Sequence, residues 1–594
     1  MAIYELTEEQ KAFLIAEGKV VLSACPGSGK TYVVAKKLLR YVNQWKRPHQ
    51  GVAVLSFTNV ASEEVSKQAQ ELMSEGFTIE YPHYIGTLDS FINNFILLRF
   101  GYLMMAEVQR PTIAIKDIFQ FPYRFWRKEC HKSCVDNIHD FSWGIDEKLY
   151  RFERNRGKIL VDCPPNANRK HPPCYECKQT LLKKGFVFQS EVSALAYLLL
   201  KKYPLIAKAI AARFPIIILD EAQDTSVEQM AILDQISKSG LESMFLVGDP
   251  DQSIYEWRNA TPECFIEKRE HVEWTTLPLT TNFRSSQLIC NATKAFSQTL
   301  EKIKPSTAKG LNADYLQKPL LLLYDGSIED SRDKIQARFI ELCIAHEIAT
   351  TPENVAVVTR SRIYKETDIS GLWKSKEVEF FAQSAYEWFD GSRKRAYELC
   401  EKALYSMCLG ELRDINISID TSVEALMPYE LWRSKVIEML IRIPNVNQSI
   451  DTWVKNMIVQ VTQTLPLIGL SLRDTRTIKD IVKTKSRDKK NPNFKSIPVL
   501  RFFENKSCTN HTLSSIHGVK GETYDALLLL IESRTGKTLT PSFLNTGDLG
   551  TELMRIAYVA MTRPRKLLAV AMPNIKNKKE YGRFPKAKWD YEYV

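Results

Sequence analysis

Short apolar runs that end in glycines or carboxylates punctuate this 594-residue chain. Val20–Ala24 runs into the turn CPGSGKT, and a helix-like stretch follows from Tyr32 to Tyr41. Four apolar residues at 216–219 lead straight into Asp220 and Glu221. Similar runs lie within GVAVLSF (51–57), FLVG (245–248), NVAVV (354–358), ALLLL (526–530) and KLLAV (566–570). Such runs suit strands of a parallel sheet, which are covered on both faces and so lack polar alternation. The predicted class is α/β. No uninterrupted apolar run approaches 18 residues and no basic-flanked apolar leader opens the chain, so a soluble, cytoplasmic protein with no membrane partner is expected.

Strand, glycine-rich turn, then helix is the arrangement that a nucleotide phosphate needs, with backbone N–H groups facing the anion and a helix N-terminus behind them. The phosphate-binding candidates are Ala24, Cys25, Pro26, Gly27, Ser28, Gly29, Lys30 and Thr31. Lys30 would reach the outer phosphates and Thr31 would ligate Mg²⁺. Ala24 stands where the general pattern has glycine. The second element is IIILDEAQDTS (216–226). Open α/β sheets bind ligands at the C-terminal edge of their strands, where Asp220 can hold the metal and Glu221 can polarise a water near the γ-phosphate.

Composition adds less. Net charge is +11, from 81 basic and 70 acidic side chains, an excess that leans towards a polyanionic partner but is also common in proteins without one. The length suits about three to five cores. The 12 cysteines are expected to be reduced, yet Cys130, Cys134, Cys163, Cys174 and Cys177 fall close together. Cys163, Cys174 and Cys177, with His171 or one of the other two thiols, are compatible with Zn²⁺; an iron–sulfur cluster and ordinary unliganded thiols are the alternatives.

Further blocks follow in order: LTEEQ (6–10), GVAVLSFTNVASEEV (51–65), YIGTLDSF (84–91), FLVGDPDQSIYEWRNA (245–260), LPLTTNFRSS (277–286), LSSIHGVKGETYDALLLL (513–530) and RIAYVAMTRPRKLLAV (555–570). With the two phosphate-site elements, this series resembles the motif set of superfamily-one DNA helicases of the UvrD, PcrA and Rep type. The resemblance implies two RecA-like motor domains, each with a mainly helical insert, and an ATP-dependent motor moving 3′ to 5′ on single-stranded DNA or at single/double-strand junctions. It makes Gln10 the adenine contact, Phe283 the ring stacked on adenine, Arg284 and Arg563 the arginines facing the γ-phosphate, Gln252 a γ-phosphate sensor and Glu522 a ribose contact. Phe57, Tyr255 and Trp257 would line single-stranded DNA, with Arg258 and His517 nearby. Tyr32 departs from the basic residue usual after the phosphate-loop threonine.

On this resemblance the first motor domain takes 1–91 and 211–290, with a cysteine-containing insert at 92–210. The second motor domain takes 291–394 and 509–594, with a short insert at 395–508. Basic stretches at 471–496 and 574–588 are candidates for duplex contacts, or equally for solvated faces. UvrD-like proteins with a short second insert also resemble the helicase subunit of the Gabija antiphage complex. That suggests an alternative function: a DNA-sensing ATPase that regulates a separate nuclease subunit in antiviral defence, with little unwinding.

Overall fold

The computed structural model describes residues 5–73, 79–105, 110–114, 138–153, 157–161, 173–256, 259–299, 306–326, 328–360, 372–389, 391–410, 419, 423, 426–485, 494–503, 511–531, 539–574 and 582–594. These residues divide between two compact units, one drawn from 1–112, 136–363 and 508–594, the other chiefly from 364–507.

The first unit contains two six-stranded parallel sheets. The strands of the first are β1 (Lys19–Ala24), β2 (Val52–Ser56), β3 (Tyr84–Thr87), β4 (Ile216–Leu219), β5 (Ser243–Gly248) and β6 (Thr275–Leu279), in the spatial order β6-β1-β5-β4-β2-β3. The apolar runs of β1, β2, β4 and β5 form its buried interior, whereas β3 and β6 are less enclosed edges. All five pairings are parallel. One edge of the sheet therefore collects the segments after Ala24, Leu219, Gly248 and Leu279.

The second sheet is built from β7 (Leu320–Tyr324), β8 (Val355–Thr359), β9 (Thr512–Ser515), β10 (Tyr524–Leu530), β11 (Pro564–Pro573) and β12 (Asp590–Tyr593), in the order β9-β8-β10-β11-β7-β12. It too is parallel throughout. Its core includes Ile254 and Ile289, which precede β7 in the chain. The segment that follows β5 is thus packed into the second sheet's apolar layer.

Between β3 and β4, the described residues form helices Pro173–Lys183, Val192–Lys202 and Pro204–Arg213 together with a three-stranded antiparallel sheet, Phe141–Trp143, Leu149–Glu153 and Gly157–Leu160. Helices, including those between Leu88 and Met104, thus dominate the described part of this insert, with short strands added. A tight turn, in which Gly144 N–H donates to the Lys148 carbonyl at 2.8 Å, starts this meander within a charged stretch that lacks a strong apolar run.

In the second unit, helices Lys376–Phe389, Arg393–Cys408, Tyr429–Leu440 and Ile450–Leu467 enclose an apolar core centred on Trp432 and Trp453. Glu401 is buried among them, where one carboxylate oxygen accepts from Tyr397 Oη at 3.2 Å, Tyr429 Oη at 3.0 Å and Trp432 Nε1 at 3.0 Å. Val378 and Phe381 share this core, so the expected boundary between 394 and 395 falls inside the unit.

Candidate nucleotide site and nucleic-acid interface

The glycine-rich turn joins β1 to a helix that begins at Lys30, followed by Thr31. Gly27 and Gly29 both have positive φ, 70° and 78°. At Gly27 a Cβ would lie 2.6 Å from Asn282 Oδ1 and 2.7 Å from Arg284 Cβ, so only glycine fits both the backbone and the space. The turn is held by two hydrogen bonds to the segment 279–283 and by one within itself. Cys25 N–H donates to the Leu279 carbonyl at 2.9 Å, Phe283 N–H donates to the Gly27 carbonyl at 2.8 Å, and Ser28 Oγ–H donates to the Cys25 carbonyl at 2.8 Å. Burial pushes the Cys25 thiol up to about 12, so it is a packing residue and not a nucleophile.

Gln10 belongs to a capping box at the start of helix Glu8–Ile15. Its Oε1 accepts the Thr7 N–H at 3.1 Å, and its Nε2 donates to the Ser28 carbonyl at 3.4 Å. The amide thus already faces the turn.

Asp220 and Glu221 stand at the end of β4. Glu221 adopts a left-handed backbone, φ 54°, the strained conformation that functional turns retain. Burial and the adjacent Glu221 push the Asp220 carboxyl up to about 7. Burial also opposes ionisation of Glu221, but Lys30, Lys520, a hydrogen bond from Gln223 and Arg563 outweigh it and hold that carboxyl near 2. Asp249, after β5, is raised to about 7 by burial and by Asp251. Buried carboxylates beside a lysine and a threonine make a donor set that suits a hard divalent cation, with Thr31 and Asp220 able to supply oxygens.

Opposing cations come from Arg284, in the segment after β6, and from Arg563, immediately before β11 of the second sheet. Arg284 is pulled down to about 9 by burial and by Arg563 and Arg565. Arg563 is 2 % exposed and is also lowered by burial. Two desolvated guanidiniums that repel each other define a place for an anion. Arg563 Nη2 donates to Gln252 Oε1 at 2.6 Å, and Gln252 Nε2 donates to Asp249 Oδ2 at 2.5 Å. Arg284 Nη1 donates to the Thr562 carbonyl at 3.1 Å. Glu522 is exposed, its N–H bonded to the Val519 carbonyl at 3.1 Å.

Of the expected DNA residues, Phe57 and Tyr255 stack on each other with ring centroids 5.1 Å apart, and His517 lies 6.1 Å from Tyr255. His517 Nε2 is 3.1 Å from the Ile254 carbonyl. Trp257 and Arg258 lie outside the described residues.

Sequence reasoning passed over Lys520, Asp251 and Arg555. Lys520 pairs with Asp224 at 2.5 Å and sits 4.5 Å from the Tyr255 ring centroid, so one side chain touches both the carboxylate cluster and the aromatic pair. Asp251 accepts from Ser297 Oγ at 2.5 Å and from the N–H groups of Gln298 and Thr299 at 3.2 and 3.0 Å. Arg555 Nε donates to the Ser253 carbonyl at 2.7 Å. All three lie within blocks already quoted, HGVKGE, DPDQS and RIAYVAMTR, where their charge was the available signal.

The cysteine expectation is not supported by the described residues. Cys174 and Cys177 are buried on helix Pro173–Lys183, whereas Cys130, Cys134, Cys163 and His171 lie outside them. Among the described residues no group of three or more His, Cys, Asp or Glu could hold a metal. No described helix is long and apolar enough to cross a membrane.

Residues 6–273 match the UvrD/REP helicase N-terminal domain. Over this stretch the chain is similar to UvrD-type helicases. The ATP-dependent DNA helicase Rep of Buchnera aphidicola subsp. Schizaphis graminum is 21% identical, with 94% of this chain and 92% of Rep aligned. The ATP-dependent DNA helicase PcrA of Staphylococcus aureus (strain Mu50) is 23% identical, over 61% of this chain and 49% of PcrA. The ATP-dependent DNA helicase SRS2 of Saccharomyces cerevisiae is 25% identical, over 49% of this chain and 27% of that protein. The UvrD-like chain therefore aligns with most of Rep, about half of PcrA and about a quarter of SRS2.

Proposed function

We propose that this UvrD-like chain is an ATP-dependent DNA helicase or translocase that hydrolyses ATP between its two parallel sheets and moves on single-stranded DNA. The observation that carries the proposal is the chain of hydrogen bonds Arg563–Gln252–Asp249, which links the second sheet to the carboxylate cluster of the first. An arginine held in this way can stabilise charge on a transferring phosphoryl group only while the two sheets are close, so turnover is tied to closure.

Each residue then has a chemical task. Gln10 offers donor and acceptor to adenine, Phe283 stacks on it, and Glu522 receives a ribose hydroxyl. Backbone N–H groups of the glycine-rich turn and Lys30 cradle the phosphates. Thr31 and Asp220 would hold Mg²⁺, which would supply positive charge to offset that of the phosphates. Glu221 is a weak base, so it orients and polarises the attacking water, and the proton leaves late, once bond formation has made the water acidic. Arg284 and Arg563 complete the anion site.

The route to DNA is short. Tyr255 follows Gln252 by three residues, stacks on Phe57 and lies under Lys520, whose partner Asp224 follows Glu221 by three. Aromatic faces bind unpaired bases with little sequence preference. The 3′ to 5′ direction, and the places of Trp257, Arg258 and His517 along the strand, rest on the resemblance in motif order. A zinc site would need ligands beyond Cys174 and Cys177, and metal analysis of purified protein tests it.

The deciding experiment measures ATP turnover with and without single-stranded DNA, together with displacement of a labelled strand from duplexes carrying a 3′ or a 5′ tail. DNA-stimulated turnover with displacement from the 3′-tailed duplex is expected. DNA-independent turnover without displacement from either duplex would overturn the proposal.

A further inference from the structure

Lys37 is a lysine where the pattern of its helix calls for a hydrocarbon. It lies on helix Lys30–Gln44 among Val33, Val34 and Leu38, is 0 % exposed, and has its ammonium 4.4 Å from the Phe245 ring centroid. The nearest carboxylate oxygen, Glu17 Oε1, is 3.9 Å away, while the other oxygen, Oε2, accepts from both the Tyr41 and the Ser243 hydroxyls. Burial accordingly pulls the Lys37 ammonium down to about 8. A leucine would pack here without that penalty, so the charge must serve something other than packing.

Its protons go to one place. Nζ donates to the carbonyls of Phe13 at 3.3 Å and Leu14 at 3.0 Å, and more closely to that of Ala16. Arg40, one turn further on, donates to the Leu14 carbonyl at 2.5 Å. Together the two cations occupy the C-terminal end of helix Glu8–Ile15, where the last carbonyls have no intrahelical donors and the helix dipole favours positive charge. This helix has only eight residues, too few to be stable alone, so ties to its surroundings set its position. Its other end carries Gln10, with the amide directed at the Ser28 carbonyl. Glu9 anchors that end to Thr280 through the backbone N–H at 2.8 Å and the hydroxyl at 2.6 Å.

We propose that Lys37 and Arg40 are positioning residues for purine recognition: they grip the C-terminal carbonyls of helix Glu8–Ile15 and so hold Gln10 at a set height beside the phosphate loop. The inference rests on Gln10 being the adenine contact. Because both cations project from the helix that begins with Lys30 and Thr31, base recognition and phosphate binding share one rigid element. Loosening the grip lets the short helix fray and moves the Gln10 amide, while the phosphate loop, held separately by Leu279 and Phe283, keeps its shape.

The test compares full-length wild type, Gln10→Ala, Lys37→Met, Arg40→Met and Arg40→Lys in DNA-stimulated turnover of ATP and GTP. Lys37→Met and Arg40→Met are expected to raise the KM for ATP several-fold and to shrink the ATP-over-GTP preference towards that of Gln10→Ala, with kcat at saturating ATP within about twofold of wild type. Arg40→Lys should restore the preference. Arg40 is only half-buried, so its variants decide the matter if Lys37→Met fails to fold. An unchanged preference in Arg40→Met, while Gln10→Ala loses it, would overturn the inference and leave the Gln10 assignment standing. An unchanged preference in Gln10→Ala itself would overturn both.

Discussion

Arg563 donates a hydrogen bond to Gln252 at 2.6 Å, and both side chains are almost fully buried. In the state described here, the arginine expected to face the γ-phosphate is engaged by the glutamine expected to sense it. A bound γ-phosphate would compete for the same guanidinium, so nucleotide binding and release of this bond are two sides of one exchange.

Arg563→Ala is therefore expected to lower ATP turnover by about a thousandfold, the lower end of what a positioned arginine contributes to phosphoryl transfer. Arg563→Lys should recover little, because an ammonium cannot address Gln252 and a phosphate oxygen through one planar fork. Steady-state phosphate release with saturating DNA checks both. Turnover in Arg563→Lys close to wild type would remove the geometric part of the argument.

Glu221→Gln should bind ATP with Mg²⁺ yet fail to turn it over, since Thr31 and Asp220 remain while the polarising charge is lost. Filter binding of labelled ATP and phosphate release, measured on the same preparation, give the two readouts. Retained turnover would mean that another group orients the water.

The raised carboxyls make Mg²⁺ dependence a function of pH. Asp220 and Asp249 both sit near 7, whereas Glu221, near 2, stays ionised throughout the working range. Below pH 7 the metal must displace a proton to bind, so the Mg²⁺ concentration giving half-maximal turnover should rise by up to about tenfold per pH unit as pH falls, and should flatten above about pH 8. Titrating Mg²⁺ at pH 6, 7 and 8 measures this directly, and a half-saturating concentration independent of pH would count against Asp220 as a ligand.

Tyr255→Ala is expected to weaken single-stranded DNA binding by about 1 to 3 kcal/mol. DNA stimulation of turnover should fall while DNA-free turnover changes less. Fluorescence anisotropy with a labelled oligonucleotide, in buffer of fixed salt, reads the first effect. If DNA affinity is unaltered, the Phe57–Tyr255 stack is only packing between neighbouring loops.

Much of this architecture was legible because strands buried on both faces must be written as unbroken apolar runs. Val20–Ala24, Ile216–Leu219 and Ala526–Leu530 can hardly be read otherwise. The polar blocks after them marked the candidate site, since a parallel sheet gathers the ends of its strands. What stayed hidden depended on contacts distant in sequence. Lys37 sits at a core position of an amphipathic helix, but its residue type says surface, and only the carbonyls of residues 13, 14 and 16 explain it. Asp251 looks like one more acidic residue until Ser297, Gln298 and Thr299 come up beside it. The meander at 141–160 is hidden in the sequence because its strands are three to five residues long, too short to show a period. Helix Lys376–Phe389 packs into the core around Trp432 and Trp453, which its sequence does not reveal, because amphipathic spacing shows an apolar face without saying which core covers it.

The strand order of the first sheet also constrains how the chain can fold as it is made. β1 lies between β5 and β6, so its two hydrogen-bonding partners are residues 243–248 and 275–279. The glycine-rich turn is completed only when Leu279 and Phe283 reach it. At a synthesis rate of about 5 to 20 residues per second, the first strand waits on the order of tens of seconds for neighbours on either side. During that interval its apolar residues, Val20 to Leu22, have no sheet to enter. The nucleotide pocket is thus a late product of synthesis, and nascent chains halted before residue 280 should expose this strand to chaperones and proteases.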